Sequence, residues 1–435
     1  MPSSGRFPRL RQHARRHPWS ALPLVLVVAT SVLAAPTIGP INRIFSPTPG
    51  SDMWPAALPL EKATDQPLRE PRGVHAGGFM VYPRIEIQEK YEDNIFATKN
   101  DRASDLITVI TPSISIESTW SRHGLGLQAF GQFSHFAEHG TEDSEQGGVS
   151  LTGRVDITGD DYVSEFLSFS REAQDRSETD DTGSRHPPIF NRYIAHTRYA
   201  HQFNDFEFRL DGQMQRFDYI AGFDFDRDRL EFDIEPRLSY QMSPYLTPFV
   251  QVGYLDRNFD APINRDGVDP DSRTYDATLG MGFALDPALT GEIAAGVFRT
   301  DFDDSTLDPV TSPLVEGTLT WDVTRLTTIT GAVSRREAVT STSENSSKIV
   351  SAASVRIDHE LLRNVLVDGE VRYRNEAFQD SSRVDNRFDV EIGGTYLLNP
   401  NASVSLDYRY TNRLSNVDAG DFTENSVLLS VGLKM

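Results

Sequence analysis

Apolar and polar residues alternate one for one in this chain over stretches of ten or more residues, and the pattern continues to its last residue. In 81–91, Val81, Ile85, Ile87 and Tyr91 interleave with Arg84, Glu86, Gln88 and Lys90; in 230–240 every even position is apolar and the odd ones are Glu231, Asp233, Glu235, Arg237 and Ser239. The same period recurs in 275–285, 349–357, 365–373, 388–398, 404–410 and 427–435. Successive side chains of a strand point to opposite faces, so each stretch reads as a strand with one greasy and one wet face. The connections between them alternate in kind. Short ones (201–206, 242–245, 286–288, 359–364, 399–401) carry the Asn, Asp, Pro or Ser of tight turns. Long acidic ones (174–188, 256–273, 301–312, 340–347, 379–386) lie between. Short turns on one rim and long loops on the other are the pattern of an up-and-down transmembrane β-barrel. Counting from Val81 gives about 18 strands, with 16 the next choice, the segments 162–171 and 314–323 being the least clearly marked.

A soluble β-sandwich or β-helix also alternates, but sandwich strands average about 5 or 6 residues, whereas these are longer and keep a polar second face throughout. The one long apolar run, 21–35, is too short for spanning helices, each of which needs about 20 apolar residues, so a helical membrane protein is excluded. Aromatic residues make up 10% of the chain and are spread from end to end, which argues against disorder. There is no Cys, so thiolate metal sites and disulfides are absent. A formal charge of -21 argues against nucleic acid as a partner.

Arg6, Arg9, Arg11, Arg15 and Arg16 precede the apolar run, which ends in the small residues Ala34 and Ala35. That order is a secretory signal, predicted over 1–35, with an uncleaved anchor as the alternative. Its removal takes away five arginines and no acid, moving the charge from -21 to about -26. Residues 36–77 hold eight prolines and no periodicity, which predicts an extended, disordered leader before a barrel over 78–435.

The first long strand ends in Tyr91-Glu92-Asp93-Asn94-Ile95-Phe96, followed by Asn100-Asp101, Asp105-Leu106-Ile107 and Thr111-Pro112-Ser113. This hairpin resembles the opening of the outer-membrane beta-barrel porin 2 family, which includes EpsL-type barrels associated with exopolysaccharide biosynthesis and export. The resemblance implies an outer-membrane barrel, a polysaccharide as substrate, and the barrel-assembly machinery and periplasmic export proteins as partners. The chain departs from the pattern in ending on Met435 instead of an aromatic residue. Read physically, Asp93 and Asn94 can bond nearby backbone to shape a rim loop, and Ile95 and Phe96 can anchor it to the wall, a structural role in preference to sugar contact.

No catalytic group stands out. His123, His135, His139, His186, His196, His201 and His359 could each supply a base, but no Gly-x-Ser-x-Gly elbow or His-Glu-x-x-His helix accompanies them. The acidic stretches 264–271 and 301–304 offer oxygen ligands without an EF-hand's terminal Glu, so no metal and no cofactor is assigned. The informative side is the wet face, where Arg84, Arg209, Arg237, Arg372, Arg374 and Arg409 alternate with acids. These are candidate lumen-lining residues, and mixed-sign ladders of this kind suit many weak contacts with a passing solute. The expectation is an outer-membrane channel involved in exopolysaccharide export or carbohydrate passage; the alternatives are a general diffusion porin for small solutes and a plugged barrel with a structural role.

Overall fold

The computed structural model describes residues 73–435 apart from 180–185, 221–223, 266, 287, 341–346, 380 and 418–419. The predicted signal segment, 1–35, and the predicted leader as far as 72 lie outside the described residues.

A three-residue strand, β1 (Val74–Ala76), is followed by eighteen long ones. These are β2 (Phe79–Glu92), β3 (Asp105–Ser118), β4 (Gly124–Phe136), β5 (Ser144–Asp156), β6 (Asp161–Ala173), β7 (Ile189–Phe203), β8 (Phe206–Tyr219), β9 (Arg229–Tyr240) and β10 (Leu246–Phe259). The second half is β11 (Ser272–Asp286), β12 (Leu289–Phe302), β13 (Val310–Thr324), β14 (Thr327–Val339), β15 (Ser347–Leu362), β16 (Val365–Phe378), β17 (Val384–Asn399), β18 (Ala402–Ser415) and β19 (Phe422–Lys434). From β2 onward each strand pairs antiparallel with the next, and β19 returns to β2, so the sheet closes as an eighteen-stranded barrel. The weakly marked segments 162–171 and 314–323 fall in β6 and β13, which is why the count is eighteen.

The pleat explains the alternation. On β11, Tyr275 and Leu279 are exposed while Thr274 and Thr278 are buried; on β17, Phe388 and Ile392 are exposed while Asp385 is buried. Leu279 is 68% exposed and Ile392 60%, an arrangement that water would penalise and hydrocarbon rewards. Connections alternate in length, although the five-residue link 379–383 between β16 and β17 is no longer than the longest short turns. The odd-to-even junctions β3–β4, β5–β6, β7–β8, β9–β10, β11–β12, β13–β14, β15–β16 and β17–β18 are turns of two to five residues, and the long loops, among them 93–104, 174–188 and 260–271, occupy the other rim. Apolar side chains also pack inside, in three small clusters near the long-loop rim: Ile95 with Ile107 and Val109; Phe190 with Phe217 and Tyr219; and Phe298 with Val310 and Ile349.

At the short-turn rim the structure corrects the predicted leader boundary. β19 runs along β2 only from Ser426 opposite Glu92 to Lys434 opposite Arg84, after which the Met435 N–H donates to the Pro83 carbonyl at 3.1 Å. That leaves the edge of Phe79, Met80 and Val81 open, and β1 pairs with it, end to end with β19. The turn needs Gly77, whose φ of +63° disfavours any residue with a Cβ. Residues 74–76 are therefore wall and not leader; three residues are too few to show a period in sequence.

Leu279 lies at the middle of β11 on the outward face. Leu279→Arg should destabilise assembly by about 2–4 kcal/mol, the cost of a charge near the bilayer midplane. Leu279→Ala should assemble normally. The two are compared by heat-modifiable gel mobility and urea midpoint in lipid vesicles; equal behaviour would reverse the facing assigned to β11.

Candidate functional site: the lumen and the loop that crosses it

All six arginines singled out by the alternation lie on inward positions, and each is paired with an acid of the wall. Arg84 meets Glu86 at 2.6 Å and Arg209 meets Asp211 at 2.8 Å, an acid that also accepts from Arg198 and His196. Arg237 makes a two-pronged contact with Glu292 at 2.9 and 2.6 Å and stacks on Phe249, with 3.3 Å from its guanidinium carbon to the ring centre. Arg372 donates to Glu370 at 2.7 Å and Arg409 to Glu391 at 2.8 Å. Arg374 reaches Glu376 at 3.5 Å and Glu178 at 3.8 Å. The pairs differ in access. The side chains of Arg372 and Arg409 are 48% and 42% exposed, whereas Arg237 is buried against its ring.

Glu178 belongs to the loop 174–188, and its contact with β16 marks the main feature of the interior. β6 and β7, which carry this loop, lie half-way around the barrel from β15–β18. The loop nonetheless touches that opposite wall. The Ser177 carbonyl accepts from Arg413 at 3.1 Å and Arg387 at 3.3 Å, and the Ser177 hydroxyl accepts from Arg387 at 3.1 Å. The Thr179 hydroxyl donates to Glu376 at 2.6 Å and accepts from Lys348 at 2.7 Å. Ser177 stands four residues past the end of β6, so the backbone spans at most about 14 Å before arginines from the far wall meet it.

The base of the loop is fixed as well. Gln174 N–H donates to the Pro188 carbonyl at 2.8 Å, and Ser177 N–H donates to the Asp175 carboxylate at 2.7 Å, closing a local turn. Arg176 makes two 2.9 Å bonds to the buried Glu142 of the 137–143 loop, and Arg227 donates to Gln174 at 2.9 Å from the 220–228 loop. The segment 174–179, held at its start by two neighbouring loops and at Ser177 and Thr179 by three cations of the opposite wall, reaches across the lumen near the long-loop rim.

The opening hairpin occupies the seam between first and last long strands. Tyr91 faces outward and is exposed. Asp93 accepts from the Asn425 backbone N–H and side-chain amide of β19, both at 2.7 Å. Asn94, fully buried, donates to the Thr423 and Thr98 carbonyls at 2.9 Å and accepts from Thr98 N–H at 3.1 Å. Ile95 packs on Ile107 and Val109, with Phe96 against the same cluster. Beside it, Asp421 caps the Ser415 N–H at 2.7 Å and meets Lys99 at 3.0 Å, and those two donors hold its carboxyl below the usual carboxylate range. These contacts fasten strand ends.

Of the histidines, His139 binds Asp105 at 2.9 Å and His201 binds Asp161, both bracing rims, and His196 shares Asp211. Among the described residues no three His, Asp or Glu are arranged to hold a metal ion, those of 264–271 and 301–304 included. Arg387 and Arg413 were within reach of the sequence: the alternation of 388–398 extended back by one residue finds the first, and that of 404–410 extended forward by three finds the second. Ser177 and Thr179 carry no such signal.

The family model described as "Putative beta-barrel porin 2" matches residues 66–435. The chain belongs to that family. It is an outer-membrane β-barrel porin. No curated protein matches it. Solved structures from Pseudomonas aeruginosa are similar to it. They include OccK2 (OpdF), with 10% identity, 82% of this chain and 98% of that one covered, and a TM-score of 0.45. OpdL has 11% identity over 83% and 100%, with a TM-score of 0.44, and OprD 13% over 83% and 97%, with 0.42. In the porin's frame the long-loop rim is extracellular and the short-turn rim periplasmic.

Two outcomes follow for the porin. Asn94→Ala strips a buried partner from the Thr423 carbonyl and should lower stability by about 1–3 kcal/mol, read as a shift in urea midpoint. Arg387→Gln with Arg413→Gln removes both donors from the Ser177 carbonyl, and single-channel conductance in planar bilayers should rise with wider fluctuations. An unchanged conductance would mean that the loop does not limit flow.

Proposed function

We propose that this porin is a diffusion channel for small hydrophilic solutes, with the 174–188 loop as its size filter. The observation that carries the reading is the pinning of Ser177 and Thr179 to β15–β18 across the lumen. A growing polymer needs an unobstructed path over its whole length, whereas a small solute needs only the space beside the loop. The hairpin that resembles exopolysaccharide-associated barrels is occupied with holding β2 to β19, so it lends no support to a polymer in the lumen. The inner wall supports weak, replaceable contacts: guanidinium and carboxylate groups alternate, Arg84, Arg372 and Arg409 among them already paired, and a hydroxylated solute can exchange with them without a tight site.

The test is uptake into liposomes that hold the purified porin. Monosaccharides and disaccharides should enter, and long dextrans should be excluded, with exclusion relaxed when residues 176–179 are replaced by a short Gly-Ser link. Passage of long dextrans through the unaltered protein would overturn the reading in favour of polymer transit. Ion selectivity gives an independent measure. With acids in excess of bases in the chain, reversal potentials should show a preference for cations. Arg372→Gln and Arg409→Gln, at exposed positions, should increase that preference more than Arg84→Gln; Arg237→Gln should act chiefly on stability, because that side chain is buried on Phe249.

A further inference from the structure

The outer face of β5–β8 is not evenly filled. Cross-strand register sets its outward side chains in rows: Leu151, Leu167, Ala195 and Met214 form one, and Val149, Phe169, Tyr193 and Arg216 the next toward the extracellular rim. A lone alanine between Leu167 and Met214 leaves a depression, and the rings of Phe169 and Tyr193, 5.1 Å apart, wall its upper end. The result is a groove of about 320 Å³ on the lipid side of the wall, at the low end of the roughly 300–1,000 Å³ usual for ligand clefts. Its lining is hydrocarbon except at the extracellular end.

There the chemistry changes sharply. Arg216 closes the groove, held in a two-pronged contact by Asp260 at 2.6 and 2.6 Å. One row higher, exposed Arg171 donates to Asn191 at 3.1 Å, and Asn191 donates to Asp218 at 3.4 Å. Two guanidiniums thus stand over an apolar trough, on outward positions of strands two apart, Arg216 oriented by an acid and Arg171 by the Asn191 amide. A soluble partner would have no use for a trough that opens into hydrocarbon. A lipid has the matching order of parts: chain below, anionic head above. The depth selects the leaflet, since the cationic end lies at the extracellular rim.

We propose that this groove binds one acyl chain of a phosphorylated glycolipid of the outer leaflet, with its phosphate on Arg216 and Arg171. Guanidinium is suited to that head, because its planar fork matches phosphate oxygens and it is weakly hydrated. Asp260 holds the Arg216 fork in place and Asn191, itself bonded to Asp218, holds the Arg171 Nε, so little side-chain freedom is lost when the phosphate arrives.

The experiment is native mass spectrometry of the full-length porin, delipidated in non-ionic detergent and titrated separately with lipid A, dephosphorylated lipid A and phosphatidylethanolamine. One lipid A should stay bound, with dephosphorylated lipid A weaker by about tenfold or more, as loss of charge-assisted bonds to phosphate implies, and phosphatidylethanolamine weaker by a similar factor because its ammonium offsets the charge of its single phosphodiester. Arg171→Gln with Arg216→Gln should reduce lipid A binding to the level of the dephosphorylated lipid. Ala195→Phe, which fills the trough, should weaken all three lipids. Heat-modifiability confirms that each variant is folded, and the arginine pair, which lies off the packed row, remains decisive if Ala195→Phe does not fold. Lipid A binding unaffected by the arginine pair, or matched by phosphatidylethanolamine, would overturn the proposal.

Discussion

Backbone N–H and C=O groups in hydrocarbon have no water to bond, and the rest of this structure follows from the need to pair them. A sheet satisfies that need only if it has no edge, so the last strand must find the first. In this porin the pairing joins residues more than 300 positions apart, Ser426 with Glu92 through Lys434 with Arg84, and it is shorter than its neighbours. Both ends of the short seam are reinforced. At the periplasmic end β1 covers the stretch of β2 that β19 does not reach, and at the extracellular end Asp93 and Asn94 bond directly to Asn425 and Thr423. The opening hairpin is thus best understood as a clasp.

Closure over eighteen strands leaves an interior too wide for wall side chains to fill by themselves, and the chain handles it with charge. Buried ion pairs give little net stability, because desolvation offsets most of the attraction. Their value here is spatial. Arg237 on Glu292, Arg257 on Glu337 and Lys348 on Glu376 hold long side chains against the wall. The same groups hold the 174–188 loop, since Lys348 and Glu376 grip Thr179 while gripping each other. Wall and constriction form one network.

The sequence made the wall legible and the constriction illegible, for a physical reason. A strand between lipid and water must alternate, so 230–240 announces β9 and its inward Arg237 without any other knowledge. The loop 174–188 was legible in its extent, because acids, Ser and Gly interrupt the alternation at both ends. Its path was not. Ser177 meets Arg387 and Arg413, which lie 210 and 236 positions away, through a backbone carbonyl that every residue type possesses. β1 escaped notice because three residues cannot display a period, and the clasp role of Asn94 depends on Thr423 at the other end of the chain.

The account turns on Ser177 and Thr179 resting against the far wall in the membrane, and proximity measures that most directly. The chain has no Cys, so Thr179→Cys with Lys348→Cys supplies a single thiol pair, whose parent side chains meet at 2.7 Å. In outer membranes a short bismaleimide should join the two rapidly and shift the band on unheated gels, while Thr179→Cys with a Cys placed at Arg84 on the periplasmic half should not react. Absence of cross-linking in the first pair, or equal cross-linking in both, would contradict a loop pinned across the lumen.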